Sequence, residues 1–517
     1  MVSMDRSLKP CTSNYATVCD VQNHNFTQML VDRLSSLPDE LLIRILSLLP
    51  TKDAAATCAL STKLRRVFPL ITSLDFDGSP ICLCLKHPYA IERFPTFVSF
   101  VDTVLQTHQS QHLTKFKLKL TSKDFGKVYF FGCDSCYGCS QGCLPDLKSP
   151  RLNVWISYPL SFCGLRELDL SILVGESGNF QLPPAIFTCE TLEVLKLEVN
   201  IGFDQIYAMT SYRLPKLKQL VLFASLISED DFLPRLVSSC PLLEDLTFQP
   251  FTRHVNITAI TSTSLRRLTL RMPKCPDFFR DNSDCVLINT PNLEYIEYSD
   301  NLASCYSIPV MHGLVKASLT ICMALKFGRS FQQIINLIRP FSYSQHLSLF
   351  GIFMWEFDFI DEEVLKDKLP VFPNLKHLEL GGATEDSCWD NLLLPFLNCS
   401  PVLETLEFAQ GLAGYHGDFL CEYRKKALEQ EQEFFIRTDH ETPVCCRNRL
   451  KRIVIREYHG FVQEILITQF LLRHALVLEE LVICLARTPN FNPCQMLIEI
   501  TLKNLPKASV TCSIQVL

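Results

Sequence analysis

Four cysteines crowd one short stretch of the chain, Cys133, Cys136, Cys139 and Cys143 in FGCDSCYGCSQGCLP. Thiolates spaced in this way hold iron and sulfide when a proline follows the last of them, but here the proline is displaced to Pro145. Zinc also accepts four thiolates. Structural zinc, however, pairs two separated CxxC knuckles, and no second knuckle is evident. The favoured reading is an insertion loop that binds no metal, with these four residues kept as the metal candidates. Other chemistry-bearing residues are dispersed: the 12 histidines form no HExxH, and neither GxGxxG nor GxxxxGK[ST] occurs. With only 18 glycines, phosphate-cradling loops are hard to place. No catalytic residue and no cofactor is expected.

The elements that position these residues must bury an unusual amount of apolar surface. The 517 residues are 47% hydrophobic and only 20% charged, with a mean hydropathy of +0.14, which excludes a disordered chain. No uncharged stretch reaches the length of a membrane helix, the longest running from Pro340 to Trp355. Asp5, Arg6, Lys9 and Asp20 break up the start of the chain, so no secretory signal is expected there. The 24 cysteines are therefore read as thiols in a reducing compartment, mostly buried. A net charge of -6, without a basic stripe, argues against nucleic acid as the partner.

After a polar, aperiodic leader over 1–33, the sequence LSSLPDELLIRILSLLPTKDAAATCALSTKLRRVF predicts three short helices. Pro38, Asp39 and Glu40 suit the first turn of one. Leu41, Leu42, Ile45, Leu46 and Leu49 then make a broad apolar face, and Pro50 ends it. Thr51 is expected to cap a second helix over Asp53–Leu60, and Ser61 a third. About 40 residues cannot bury this much Leu and Ile alone, so the surplus face should meet another protein. Leu37-Pro38-Asp39-Glu40-Leu41-Leu42, Ile45-Leu46-Ser47, Leu49-Pro50-Thr51-Lys52-Asp53 and Ala59-Leu60-Ser61 resemble a plant F-box. Leu64 and Phe68 stand where that family usually has two tryptophans. The resemblance implies docking on the Skp-type adaptor of a cullin-RING ubiquitin ligase, through Leu37, Pro38, Leu41, Ile45, Leu46, Leu49, Leu60 and Leu64 as the face or its support.

A second pattern fills the middle. The form L-x-x-apolar-x-apolar recurs at Leu165, Leu192, Leu217, Leu243, Leu265 and Leu293, in steps of 27, 25, 26, 22 and 28 residues. Further copies start at Leu375, Leu403, Leu450 and Leu478, with Leu314/Ala317/Leu319 and Leu347/Leu349 as degenerate copies between. The period-2 part of each copy is a short strand, and a mostly helical return of about 20 residues leads to the next. The pattern resembles plant leucine-rich repeats over roughly 110–480. Strand residues between the core positions form the binding surface of such a solenoid. They include Glu167, Asp169, Lys196, Glu198, Arg267, Arg271, Glu297, His377 and Glu379, whose mixed charges suit a protein target. Cys189, Cys240 and Cys399 precede a repeat Leu and read as small buried thiols.

The last part, LKRIVIREYHGFVQEILITQFLLRHALVLEELVI over 450–483, reads as strand, helix over Gln463–His474, and strand. Through Leu450-Lys451, Ile453, Ile455, Gly460, Glu464, Phe470-Leu471-Leu472, Ala475 and Val477-Leu478-Glu479 it resembles the plant FBD domain, with His474 where Asn is more usual. Before it, Glu422–Phe435 reads as a charged insertion. The fold expected is α/β: a leader 1–33, an all-α module 34–75, a repeat solenoid 76–442 carrying the Cys-rich insertion 131–145, an FBD-type unit 443–490 and a terminal segment 491–517. By resemblance, the chain is a non-catalytic substrate receptor of an SCF-type ubiquitin ligase, bound through the adaptor to cullin, in cytoplasm or nucleus. A small-molecule-sensing receptor and a scaffold outside any ligase are the alternatives.

Overall fold

The structure is a computed structural model describing residues 34–78, 88–120, 149–172, 182–199, 206, 209–224, 231–250, 259–272, 285–321, 331–351, 362–381, 390–412, 441–486 and 495–517. The leader, the run Cys133, Cys136, Cys139 and Cys143, and the Glu422–Phe435 insertion lie outside these residues.

Three short helices open the described chain. Pro38 precedes α1 (Asp39–Leu46), whose first turn carries the acidic pair Asp39 and Glu40. Asp39 reaches across to α3 (Thr62–Val67), where Arg66 Nη2 lies 3.0 Å and Lys63 Nζ 3.4 Å from its carboxylate. Ser61 caps α3 as its position predicts, its Oγ accepting from the Leu64 N–H at 3.2 Å. Thr51 does not cap. It is the first residue of α2 (Thr51–Ala56), which gives way to a 3-10 turn at Thr57 rather than running on to Leu60. Its hydroxyl is instead buried and accepts the backbone N–H of Asp75 at 2.7 Å, while Ser47 Oγ accepts that of Thr72 at 2.9 Å. Thr72 immediately precedes the first strand and Asp75 lies within it, so the helical module is stitched to the sheet by side chains that satisfy backbone donors.

That sheet has fifteen parallel strands among the described residues. In chain order the strands are β1 (Ser73–Asp77), β2 (Lys115–Leu120), β3 (Glu167–Ile172), β4 (Val194–Val199), β5 (Gln219–Ala224), β6 (Asp245–Pro250), β7 (Ala259–Thr261), β8 (Arg267–Arg271), β9 (Cys285–Asn289), β10 (Tyr295–Asp300), β11 (Cys305–Ser307), β12 (Lys316–Ile321), β13 (His346–Gly351), β14 (His377–Leu380), β15 (Thr405–Phe408), β16 (Arg452–Tyr458), β17 (Glu480–Leu485) and β18 (Ser513–Val516). All but β7, β9 and β11 join the large sheet in sequence order. Because side chains alternate along a strand, two inward positions of each repeat stack into ladders. Leu168, Leu195, Leu220, Leu246, Leu268 and Ile296 form part of one, Leu170, Leu197, Leu222, Phe248, Leu270 and Tyr298 of the other, all buried. The copies that look degenerate stay in register, Ala317 lying between Ile296 and Leu347. The sheet also starts earlier than the repeat spacing suggests: β1 and β2 precede the first clear copy, and β1 begins at Ser73, inside the segment assigned to the helical module.

Among the described residues the returns are helical in part. Helices Phe232–Ser238, Phe331–Ile338, Glu362–Lys368, Asp390–Cys399 and Val462–His474 fill some of them, and a 3-10 turn, Pro184–Thr188, another. Around β8 and β10, the short strands pair instead as a second parallel sheet in the order β11-β9-β7. Before ten of the strands the preceding residue adds to a rim of alternating charge, Arg166, Glu193, Lys218, Glu244, Arg266 and Glu294, and again Lys376, Glu404, Lys451 and Glu479. Within each run, every residue after the first donates its N–H to the carbonyl of the one before it, while Arg166 and Lys376 donate to Thr114 and Gln345. Among the pairs, Glu193 lies 3.3 Å from Lys218, and Lys451 2.8 Å from Glu479. Singly, such exposed pairs contribute little, because solvent screens them. Their joint effect is on register, since a slip of one repeat sets like charges side by side.

Gly351 ends β13 with a φ of 89°, and a Cβ built there falls 2.1 Å from the carbonyl oxygen of Ile321 on β12. Gly351→Ala combines a left-handed conformation with a backbone clash and is expected to cost roughly 2 kcal/mol or more. Denaturant unfolding of the variant measures this. An unchanged midpoint means that β12 and β13 do not pair as described.

Candidate protein interfaces

The sequence nominates Leu37, Pro38, Leu41, Ile45, Leu46, Leu49, Leu60 and Leu64 for the apolar surface of the helical module, and the fold divides them. Leu41 and Ile45 are 46% and 38% exposed on α1, Pro38 is exposed beside them, and Leu60 is 73% exposed after the 3-10 turn. Leu46 and Leu64 are buried, and Leu37 and Leu49 are half-buried against the core, so these four support the surface from beneath. Leu48, 81% exposed, and Leu34, 41% exposed, belong to the same module and were missed. A helical wheel carries the signal for Leu48, which stands three residues beyond Ile45 and seven beyond Leu41. Such an exposed apolar set in a small module is a candidate contact surface.

All nine strand residues nominated for a target lie on the outer face of the sheet, where inward neighbours are fully buried. They fall into three groups. In the first, Lys115 Nζ lies 3.0 Å from Glu167, and Ser171 Oγ donates to Glu198 at 2.6 Å. Asp75, Lys117, Asp169 and Lys196 are register partners across β1 to β4, an alternating row that the sequence reading found only in part. Burial pushes the Asp75 and Asp169 carboxyls up, and Lys117 pulls both back. The second group is a fork: Arg271 donates to both oxygens of Glu297 at 2.6 and 3.0 Å, and Tyr295 donates to the same carboxylate at 3.2 Å. Arg267 stands exposed beside Tyr295 in register. The bond to Glu297 raises the Arg271 guanidinium further, so this pair stays charged.

In the third group His377 and Glu379 share β14. The His346 and His377 rings lie 5.5 Å apart, Ser348 Oγ donates to Glu379 at 2.7 Å, and Arg456 Nε donates to Glu407 at 2.6 Å. Burial lowers both histidines, and His377 adds to the effect on His346. Ser348, Glu407 and Arg456 complete this cluster across β13, β15 and β16, and the sequence reading does not nominate them. Side chains held by neighbours across strands have little freedom left to lose, so this outer face is rigid.

Among the described residues no group of three or more His, Cys, Asp or Glu is placed to hold a metal ion, and no helix is long and apolar enough to cross a membrane. Cys240 is buried, its thiol pushed up to about 11, and Cys189 and Cys399 are half-buried, the latter also raised by burial. The reading of the cysteines as thiols fails at one pair: Cys285 and Cys305 form a disulfide. They lie opposite each other on β9 and β11, a juxtaposition that their separation of 20 residues does not announce.

At the carboxy-terminal end, Phe461 precedes the helix Val462–His474 between β16 and β17. Glu464 Oε2 accepts the N–H groups of His459, Gly460 and Phe461 at 2.9, 2.7 and 3.0 Å. Its side chain is fully buried, and burial outweighs these bonds and lifts its pKa to about 7. In the unfolded chain the carboxyl ionises near the ordinary glutamate value, so this group favours the folded state most at low pH. That advantage is lost as pH rises from about 4.3 through about 7. Glu464→Gln is expected to remove this dependence, gaining on the wild type by up to about 3 kcal/mol between pH 5 and pH 8. Paired denaturation curves at the two pH values measure it, and a constant difference refutes the burial argument.

The geometry has counterparts among known proteins. A family model for the F-box domain matches residues 34–69, one described as FBD-associated F-box protein At5g56370, LRR repeats, matches 152–314, and one for FBD matches 439–483. The F-box/LRR-repeat protein At3g59200 of Arabidopsis thaliana is 30% identical over 420 residues, covering 76% of this chain and 73% of its own length. The F-box/FBD/LRR-repeat protein At5g56420 of the same plant is 27% identical over 484 residues, covering 93% and 98%. The three short helices, the stack of parallel repeat strands and the closing strand-helix-strand coincide with the F-box, LRR and FBD matches along this chain, and the chain belongs to the F-box/LRR-repeat family in its FBD-bearing form.

Proposed function

We propose that this chain is the substrate-recognition subunit of an SCF-type ubiquitin ligase, docking a Skp-type adaptor, and through it cullin, with its F-box, and a protein target with the outer face of its repeats. The observation that carries the reading is the exposed set Leu41, Ile45, Leu48 and Leu60 on a module whose other side is bonded to β1 through Ser47 and Thr51. That linkage fixes the docking surface relative to the strands that face the target. A rigid link has a purpose here, because the subunit performs no chemistry. It acts by holding a target lysine within reach of a conjugating enzyme, raising the effective concentration of the reacting groups.

The test is co-expression of the full chain with a Skp-type adaptor, followed by size-exclusion chromatography. A one-to-one complex is expected. Separate elution of the two at micromolar concentration overturns the adaptor assignment, and with it the ligase role.

A further inference from the structure

We infer that Cys285 and Cys305 are a reversible redox site, oxidised by low-molecular-weight disulfides of the glutathione class, that clasps the return segment around β10. The inference rests on this pair alone and not on the ligase reading.

The alternation of β9 sends Val286 and Ile288 inward, both buried, and Cys285 outward. On β11 Cys305 is exposed. Their Cα atoms lie 4.6 Å apart in register, within the span a disulfide accepts. Both thiols therefore meet solvent on the same side of the small sheet, where a small thiol or disulfide can reach them. This sets them apart from Cys240, Cys445, Cys446 and Cys512, which are buried and free. Accessible disulfides are the ones that exchange, whereas enclosed ones persist.

The exchange balances without a further reagent. The Cys305 thiolate attacks one sulfur of the oxidised tripeptide, forming a mixed disulfide and releasing one glutathione thiolate. The Cys285 thiolate then attacks the Cys305 sulfur, closing the protein disulfide and releasing the second glutathione. The two protons of the cysteines end on the two glutathiones, and two electrons leave the protein.

The closed loop encloses a specific part of the fold. It contains β10, with Tyr295 and Glu297 of the Arg271 fork on the outer face. It also contains a buried knot in which Tyr298 donates to Asp300 at 3.2 Å, with Tyr306 packed edge-on against Tyr298. The strands of the small sheet are only three to five residues long, so few backbone bonds hold them. Oxidation ties β11 to β9 and so steadies β10 and the fork it presents.

The full-length protein is equilibrated in glutathione buffers from fully reduced to fully oxidised, alkylated and mapped by mass spectrometry. Cys285 and Cys305 are expected to lose alkylation together, with one shared midpoint, while the buried thiols react only after denaturation. Amide exchange over Val286–Ser307 is expected to be roughly tenfold faster in the reduced protein. Cys305→Ser should leave Cys285 open to a mixed disulfide and abolish the redox dependence of exchange. The inference is overturned if the two thiols stay alkylatable in the most oxidising buffer, if the bond survives excess reduced glutathione, or if exchange over this segment is the same in both states.

Discussion

The doubly substituted chain Leu48→Asp/Leu60→Asp is expected to lose at least a hundredfold in affinity for a Skp-type adaptor while unfolding at the same denaturant midpoint as the wild type. Both side chains are mostly in solvent, so a carboxylate there disturbs no packing. In a complex, each carboxylate is carried into a desolvated apolar contact, and anchors of this kind contribute about 2 kcal/mol or more apiece. Two such losses exceed the roughly 3 kcal/mol that corresponds to a hundredfold. Leu46→Ala and Leu64→Ala are the informative contrast. Both side chains are buried beneath the surface, so these changes should lower stability by about 2–5 kcal/mol and weaken adaptor binding only through the fold. Calorimetric titration with purified adaptor, beside unfolding curves, separates the two patterns. Unchanged affinity in the double Asp variant moves the docking surface elsewhere.

Phe248→Ala is expected to cost about 3–5 kcal/mol, the range for removing a fully buried aromatic ring. Phe248 is completely buried in mid-sheet, its ladder neighbours being Leu222 on β5 and Leu270 on β8. The effect should be graded along the stack. In a solenoid each repeat leans on its neighbours, so hydrogen exchange should quicken most in β5, β6 and β8 and least in β16 and β17. Equal acceleration in all strands indicates one global unfolding unit and rejects the nearest-neighbour description.

The repeat strands were legible because Leu at two alternate positions, returning every 22 to 28 residues, has few explanations other than a stacked parallel sheet. The Ser61 cap and the helix through His474 were legible for local reasons, a side chain that bonds its own backbone and a run of apolar residues at helical spacing. The copy Leu113/Phe116/Leu118 lies inside the expected repeat region without being singled out, and Ile71/Leu74/Phe76 lies before it, although both obey the same pattern. Aromatic and β-branched side chains fill the inward positions as well as Leu does, because the core asks for volume rather than identity.

Long-range placement is what local pattern does not contain. On α1 the neighbours Leu41 and Leu42, and again Ile45 and Leu46, offer two overlapping apolar faces, and only the packing of α3 and the 3-10 turn Phe68–Leu70 decides that Leu42 and Leu46 go inward. Thr51 looks like a cap until the Asp75 N–H arrives and takes its oxygen. The disulfide depends on β11 pairing with β9 past the intervening β10. Hydrophobic period and turn chemistry act over a few residues, so the repeat strands and their inward side chains can be read from the chain alone. The tertiary structure alone decided which apolar face stays open for a partner, which charges meet across strands and which thiols become neighbours, since those outcomes follow from backbone groups brought together from distant parts of the chain.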